Sequence, residues 1–344
     1  MDSYARHYSK NGVKRNGLFI RNNLLKRKYF ILIYFFYMNQ ADYFWQIYLE
    51  LEKETLEICK SIYIDDTQEN VYSPKNADLI LRINVVIESI AKELFLKEGG
   101  VRPDEDIDFF YDTVCIKFLE DKWTLSKKKI RIINTNIDLS EPKRILTPLN
   151  KASGRGTSGP KWKRDYQAIK HDRFNSIKKA TVKNVLDSLA ALFILNLYNR
   201  NLSLKLDNVL SKQNIDLSMG SNLFMAILFS DTSSNFELLK ENKEQVEESI
   251  FIKHFDIEAI RKYKEQEKIY TEQRIRIVAE SLSNDQEIVK QLIKGMTQDE
   301  LQEEIKKRFY KNFKEDLIRS NLLQEVSKLP LIIELNKNQF AESK

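Results

Sequence analysis

ATVKNVLDSLAALFILNLY, residues 180–198, is the most apolar helical stretch of the 344-residue chain. Large apolar side chains recur around most of its circumference, and Asn184 and Asp187 interrupt one face. A helix that is apolar nearly all round lies inside a protein rather than on its surface. The stretch therefore predicts a central helix around which the other helices of a bundle pack.

Amphipathic segments before this helix predict the rest of the bundle. Apolar side chains recur at helical spacing in 41–63, 77–97 and 104–125, and 161–170 shows the same pattern. The whole chain has only 9 glycines and 6 prolines. So few turn-forming residues favour long helices over many short strands. We therefore expect a mostly α protein.

The chain after residue 200 is expected to be helical as well. Residues 215–231 combine a glycine with a dense apolar run and have room for one or two short strands. Residues 236–321 are charged, and 273–294 and 297–319 predict two amphipathic helices within them. Residues 329–335 read as a short apolar tail. The predicted fold is an N-terminal helical bundle followed by a helical C-terminal region with those strands.

Composition and charge narrow the class of protein. Hydrophobic residues make up 42% of the chain and charged residues 31%, which is typical of a globular protein. The formal net charge of +6 permits contact with nucleic acid without requiring it. Cys59 and Cys115 both fall at apolar helical positions, where small buried side chains are expected. No Cys/His spacing typical of zinc occurs, so we expect a cytoplasmic protein with no metal or cofactor.

The N-terminal segment needs its own interpretation. The apolar run YFILIYFFY, residues 29–37, follows several basic residues. A membrane-spanning helix needs about 20 apolar residues, so this run is too short and we expect no membrane association. A signal peptide would have a small-x-small cleavage site after the run, and none follows. We therefore expect Met38 to be the true start, and the residues before it in the segment 1–38 to be a leader or a misassigned start that is poorly ordered.

The strongest functional signal lies directly before the central helix, in WKRDYQAIKHDR, residues 162–173. His171 is one of 3 histidines in the chain and stands among basic residues, seven positions after Arg164. Seven residues is close to two helical turns, so the two side chains are expected on one face. Histidine can take a proton from a ribose 2′-hydroxyl while arginine stabilises the charge that develops on the phosphate.

The same cluster has a simpler explanation. A run of basic residues between 161 and 183 can form a solvated helix end, with His171 bonded to Asp172 or to a backbone carbonyl. Composition alone favours this explanation. The basic residues are Lys161, Lys163, Arg164, Lys170, Arg173, Lys178, Lys179 and Lys183.

Arg164, Asp165 and His171 resemble the R-x(4–6)-H motif of HEPN domains, in which an acidic or polar residue follows the arginine. The order of elements is also similar: three helices, a motif-bearing helix and a final apolar helix. The wider pattern W-x3-Y-x3-K-H-x-R resembles a bacterial HEPN-like subgroup, in which Asn would stand at the position of Gln167. The resemblance covers about 39–200. Residues that carry the wider pattern are Trp162, Tyr166, Lys170, His171 and Arg173.

The resemblance implies a HEPN-like bundle over 39–200, followed by an α-rich region of unknown role over 201–344. HEPN ribonucleases cut RNA without a metal by attack of the 2′-hydroxyl, and they pair as dimers that join two motifs. Arg164 and His171 would then be catalytic. The supporting or RNA-binding residues would be Asp165, Tyr166, Lys170, Arg173 and Arg155.

The expected function is therefore a metal-independent endoribonuclease, of the kind that acts as a toxin or an antiviral defence effector. Its partners would be RNA and a second copy of the chain. Many HEPN-like domains lack activity, because a fold does not fix a function. The alternative is a non-catalytic HEPN-like module that binds RNA, dimerises or serves as a scaffold.

Three further signals have mainly structural explanations. GRGTSG, residues 154–159, fits GxGxxG, but no strand pattern precedes it, so we expect a mobile loop from which Arg155 can contact RNA. Glu88 and Lys92 are spaced for an ion pair on one helix, with a site role for Glu88 as the alternative. His254 is flanked by apolar residues and is expected to pack in the interior.

Overall fold

The computed structural model divides the chain into two compact units. The first unit contains the described residues of 41–116, 135–140 and 152–200, and the second contains 117–134, 141–151 and the described residues after 200. The expected leader over 1–38 and most of the predicted helix over 297–319 lie outside the described residues. The structure describes residues 41–104, 109–206, 215–233, 236–284, 286, 289–290, 294–300, 303 and 329–340.

Helices and short strands alternate along most of the chain. In chain order they are α1 (41–61), β1 (Ile64–Asp65), α2 (Pro74–Lys97), a π-helical turn (Tyr111–Ile116), α3 (Lys117–Trp123), β2 (Ile130–Ile132), β3 (Ile137–Asp138), α4 (Glu141–Arg144), β4 (Ile145–Leu146), α5 (Lys161–His171), α6 (Val182–Arg200), β5 (Ser203–Leu206), β6 (Phe224–Ala226), β7 (Leu228–Asp231), α7 (Glu237–Glu241), α8 (Lys243–Glu248), β8 (Phe251–Phe255), α9 (Ile257–Asn284) and β9 (Leu331–Leu335).

The fold class is mixed α/β, so the expectation of a mostly α protein with one or two short strands is wrong. The described residues form three sheets, of two, three and four strands. Strands of two to five residues are too short to show clear alternation of apolar and polar side chains. The scarcity of glycine was also misleading, because other residues take the left-handed backbone conformation at turns. These are Thr124, Lys151, Asn201, Met219, Phe236 and Asn338.

The helices α1 and α2 confirm the predictions over 41–63 and 77–97. Ser73 caps α2, since its hydroxyl accepts a hydrogen bond from the N–H of Asn76, and Pro74 fits the first turn because it has no N–H to satisfy. One face of α2 is fully buried at three- and four-residue spacing, at Ile80, Ile83, Ile87 and Leu94 among others. The amphipathic pattern therefore fixes which face of α2 enters the core.

The helices α5 and α6 confirm the predictions over 161–170 and 180–198. All but three of the 19 residues of α6 are buried, as expected for a central helix. Asn184, which interrupts the apolar surface, ties the two helices together. Its side-chain amide donates 2.7 Å hydrogen bonds to the carboxylate of Asp165 on α5 and to the carbonyl of Lys179. The polar residue in the core thus sets the position of the motif-bearing helix.

The predicted helix over 104–125 contains a wider turn than expected. In the π-helical turn the N–H of Cys115 reaches back five residues to the carbonyl of Phe110, at 3.3 Å. Such turns frequently occur at functional sites. This one buries Tyr111 and Asp112 in the first unit. A parallel pair of strands, β1 and β3, completes that unit.

The second unit contains the two larger sheets. One has the antiparallel order β4-β2-β6, and the other has the order β5-β9-β8-β7, in which β7 and β8 are parallel. The strands β6 and β7 confirm the expectation for 215–231.

Two expectations for the second unit are wrong. Residues 329–335 do not form a tail, because β9 is an inner strand with Leu331, Ile333 and Leu335 buried. Residues 251–255 form β8 within a region expected to be helical. His254 on β8 is buried, as predicted, and its Nδ1 donates to the carbonyl of Phe255 at 2.7 Å.

Candidate functional site

A cavity of about 580 Å³ lies in the first unit beside the helix that carries the predicted motif. Ligand sites in proteins typically enclose about 300–1,000 Å³, so this volume suits a small organic group. Four segments line the cavity: α2, the π-helical turn, the GRGTSG loop and α5. Their side chains include both signs of charge and two aromatic rings, which suits a planar polar ligand.

Asp112 lies at the centre of a buried ion cluster that forms part of the cavity lining. Its carboxylate accepts hydrogen bonds from Lys163 Nζ at 2.8 Å and from Arg155 Nε at 3.0 Å. Lys163 also donates to the carbonyls of Ala152, at 2.9 Å, and Gly154, at 2.6 Å. An ammonium group has three hydrogens, so these contacts satisfy it completely. Lys163 therefore joins the π-helical turn, α5 and the loop.

The pKa values of Asp112 and Lys163 are both lowered, but for different reasons. Burial by itself would raise the pKa of Asp112, but the hydrogen bond and charge of Lys163, the N–H of Thr113 and Arg155 together hold it below its ordinary value. Burial dominates for Lys163 and lowers its pKa, although Asp112 opposes the shift. The carboxylate faces two cations, whereas the ammonium also lies near the like charge of Arg155.

The GRGTSG loop is a tight turn that requires its glycines. Gly156 has a φ of +55°, which is left-handed. A Cβ on Gly154 would lie 2.6 Å from the carbonyl oxygen of Ser158. The turn places the guanidinium carbon of Arg155 3.7 Å from the ring centroid of Phe110, and both residues line the cavity. The ring and the guanidinium are thus stacked at one wall.

Glu88 forms the α2 wall of the cavity. Among the described residues its hydrogen-bond partner is Tyr166, whose hydroxyl donates to Oε1 at 3.1 Å, and not Lys92. Burial and the charge of Glu88 raise the pKa of Tyr166. The expected ion pair with Lys92 is thus replaced by a hydrogen bond to Tyr166 at the cavity wall.

Tyr111 contributes a buried hydroxyl to the same wall. Its ring lines the cavity, and its hydroxyl has no hydrogen-bond partner among the residues that the structure describes. Burial, followed by the negative charges of Glu88 and Asp112, raises the pKa of this group. The hydroxyl therefore keeps its proton and remains a potential donor.

Arg164 and His171 lie on one exposed side of α5, but in different surroundings. Arg164 lines the cavity together with Gln167. His171, the last residue of α5, is exposed and lies outside the cavity lining. The side chains of Arg164 and His171 have no hydrogen-bond or ion-pair partner among the described residues. The structure thus gathers Arg164, Gln167 and Arg155 at the cavity and places His171 about one turn beyond Gln167.

Two of the predicted supporting residues are buried in the core. Asp165 pairs with Lys161 at 2.7 Å and accepts from Asn184, so its described contacts hold α5 in place and do not reach Arg164 or His171. Tyr166 is 1% exposed and contacts the site through its hydroxyl alone.

Two further supporting residues lie at the C-terminal end of α5. Arg173 pairs with Asp78 at 2.8 Å and donates to the carbonyl of Pro74 at 3.1 Å, which secures it to the start of α2. Lys170 is exposed, and its ammonium lies 5.6 Å from the ring centroid of Tyr166. Lys170 is therefore more available to a ligand than Arg173.

Phe174 is a candidate that the sequence interpretation missed. Its side chain is 88% exposed, three residues after His171. Exposed aromatic rings beside cations are the surfaces on which single-stranded nucleic acids stack their bases. The signal was present in KHDRF, residues 170–174, where an aromatic residue follows the bases directly.

Comparisons with known proteins give the chain no family assignment. A scan of protein-family models, a search of curated proteins and a search of solved structures each found no significant match. The resemblance to HEPN domains therefore rests on the motif and on the order of the helices.

The part of the chain that the structure describes offers neither a metal cluster nor a membrane-spanning helix. Within it, no group of three or more His, Cys, Asp or Glu side chains could hold a metal ion. None of its helices is both long and apolar enough to cross a bilayer.

Proposed function

We propose that the first unit is a metal-independent endoribonuclease of the HEPN type, with Arg164 and His171 as the catalytic pair. What supports the proposal is the contrast between these two side chains and their basic neighbours. Both side chains are exposed and have no hydrogen-bond or ion-pair partner among the described residues, which is also true of Lys170, whereas three basic neighbours are held in ion pairs. Those neighbours are Lys161, Lys163 and Arg173. Unpaired groups on an otherwise well-bonded helix are available to an outside substrate.

The proposed reaction is a transfer within the RNA strand. A ring nitrogen of His171 takes the proton of a ribose 2′-hydroxyl, and the 2′-oxygen forms a bond to the adjacent phosphorus. The bond from phosphorus to the 5′-oxygen of the next nucleotide breaks, and that oxygen takes up a proton. The products are a 2′,3′-cyclic phosphate and a 5′-hydroxyl. Arg164 stabilises the negative charge that accumulates on the phosphoryl oxygens.

Residues around this pair would hold the strand. Arg155 adds a second guanidinium at the cavity, and its side chain is 47% exposed. Phe174, three residues after His171, offers an exposed stacking surface. We further propose that two copies pair through the first unit, as HEPN domains do, so that a second His171 can give the proton to the departing 5′-oxygen.

The alternative proposal is an RNA-binding module without catalysis. It is favoured by the position of His171, which does not line the cavity that Arg164 lines. In this case the basic surface would bind phosphates and the affinity would fall steeply with salt, but no product would form.

Cleavage by the full chain separates the two proposals. Wild type should cut single-stranded RNA in the presence of EDTA, and the products should carry 2′,3′-cyclic phosphates. His171→Ala should lose cleavage while keeping the wild-type circular dichroism spectrum. Lys178→Ala, which removes an exposed charge nearby, should still cleave. Equal cleavage by His171→Ala and wild type would overturn the nuclease proposal, and binding without products would favour the module.

A further inference from the structure

We infer that the cavity beside Arg164 is a nucleobase site that takes guanine. The inference rests on the proposed function, because the guanine would belong to the RNA nucleotide next to the phosphate that Arg164 contacts. It adds a base preference, which neither the motif nor the resemblance implies.

The walls of the cavity suit a flat, polar ring. Its volume of about 580 Å³ holds one nucleotide with space for solvent. The stacked pair of Phe110 and Arg155 forms one wall, and Phe110 is still 38% exposed. A nucleobase can stack on the exposed part of the Phe110 ring, beside the guanidinium and in its plane, so that the edge of Arg155 stays available to the base.

Glu88 provides an acceptor for the base edge. Tyr166 donates to Oε1 of Glu88, which fixes the carboxylate, and Oε2 has no hydrogen-bond partner among the described residues. Guanine presents two adjacent donors, N1–H and the N2 amino group, that a carboxylate can accept together. Uracil presents one N–H between two carbonyl oxygens, and those oxygens would be repelled by a carboxylate. Adenine and cytosine present an amino group beside a ring nitrogen that is itself an acceptor.

Other segments of the cavity lining provide donors for the other guanine edge. O6 and N7 of guanine are adjacent acceptors, and arginine is the side chain that most often binds them as a pair. Arg155 uses Nε for Asp112, which leaves the terminal nitrogens of its guanidinium for a ligand. Gln167 can donate through its side-chain amide from the α5 wall. The cavity therefore has acceptors and donors on different walls, as guanine has donors and acceptors on different edges.

Tyr111 is a second, independent indication of a ligand. Its side chain is 8% exposed, and its hydroxyl is buried without a partner among the described residues. An unpaired buried hydroxyl is energetically unfavourable, so natural proteins rarely contain one without a reason. An acceptor of a bound base would satisfy this hydroxyl.

Binding of the four ribonucleoside 5′-monophosphates to the full-length chain tests the inference. Calorimetry should show that GMP binds at least about tenfold more tightly than AMP, CMP or UMP, since one bidentate contact to a base contributes about 1–3 kcal/mol of discrimination. Glu88→Gln should remove that preference. Its amide oxygen still accepts from Tyr166, so the fold is retained. Glu93→Gln, on the same helix outside the cavity lining, is the matched control and should bind GMP as wild type does.

The result also distinguishes this inference from the proposed function, because mononucleotide binding does not require cleavage. Equal affinity for the four nucleotides, or competition by inorganic phosphate alone at the same concentration, would overturn the base assignment even in a chain that cleaves RNA. A preference for GMP that depends on Glu88 would support the nucleobase site even in a chain that does not cleave.

Discussion

Arg164 and His171 lie two turns apart on one side of α5, and only Arg164 lines the cavity. The two residues should therefore contribute differently to RNA binding and cleavage. Arg164→Ala should weaken binding and slow cleavage, because it removes a phosphate contact as well as charge stabilisation. His171→Ala should slow cleavage by at least about 100-fold, as expected for a lost general base, with affinity within about twofold of wild type.

Affinity and rate can be separated with an RNA that carries a 2′-deoxy substitution at the cleaved position. Fluorescence anisotropy of that RNA gives the affinity of each variant, and single-turnover cleavage of the unmodified RNA gives the rate. Lys178→Ala serves as the charge-matched control. If His171→Ala loses affinity as much as Arg164→Ala does, His171 is a binding residue and not the base.

The helices of the first unit could be predicted because each has a strong local signal. The apolar circumference of 180–198 predicts its burial, and Ser73 with Pro74 marks the start of α2. The sheets could not be predicted in the same way. The strand β9 is apolar and short, and only its partners β5 and β8, at least 76 residues away, make it an inner strand. Pairing over such distances leaves no periodic pattern in the sequence.

The candidate site shows the same division. Arg155 and Arg164 could be predicted because each belongs to a short sequence motif, and both line the cavity. Glu88 and Asp112 come from α2 and the π-helical turn, and no sequence spacing relates them to α5. Lys163 was counted as one basic residue among eight, yet burial and three hydrogen-bond acceptors distinguish it from the rest.

The ion pair between Lys163 and Asp112 should be important for stability. Lys163→Met keeps the length of the side chain but leaves a carboxylate that is 5% exposed without its main partner. Removing one member of a buried ion pair typically costs about 3–5 kcal/mol. We expect a loss of that size in the free energy of unfolding, measured by urea denaturation. Lys60→Met, which breaks an exposed pair with Glu57, should leave the free energy of unfolding nearly unchanged. Similar losses for the two variants would contradict the role given to Lys163.

Phe174 should affect RNA binding without affecting the fold. Its ring is 88% exposed, so Phe174→Ala should leave the melting temperature within about one degree of wild type, since surface changes have small effects. Loss of one stacked base contributes about 1–3 kcal/mol, which corresponds to a reduction in RNA affinity of roughly five- to 150-fold. Val101→Ala, at an 84% exposed position in the same unit, is the control and should bind normally. Unchanged affinity in Phe174→Ala would place the RNA elsewhere.

Lys128 should make the stability of the chain depend on pH. It is fully buried in the second unit, and its ammonium nitrogen has no hydrogen-bond partner among the described residues. Burial lowers its pKa to about 7, although Glu247 and Glu120 partly oppose the shift. An unfolded lysine has a pKa of about 10.4, so between about pH 7 and 10 the unfolded chain binds more protons than the folded one. Stability therefore rises with pH in this window, and the full cost of burying the charge is present below about pH 7.

Lys128→Met should remove this dependence, because methionine fills a similar volume and carries no charge. The variant should be more stable than wild type at pH 6, by on the order of a few kcal/mol, and the difference should shrink steadily toward pH 10. Urea denaturation at pH 6, 8 and 9.5 measures it. Lys262→Met, at an exposed position on α9, should follow the wild-type profile. A difference between Lys128→Met and wild type that stays constant with pH would mean that Lys128 is not charged and discharged in the folded state over this range.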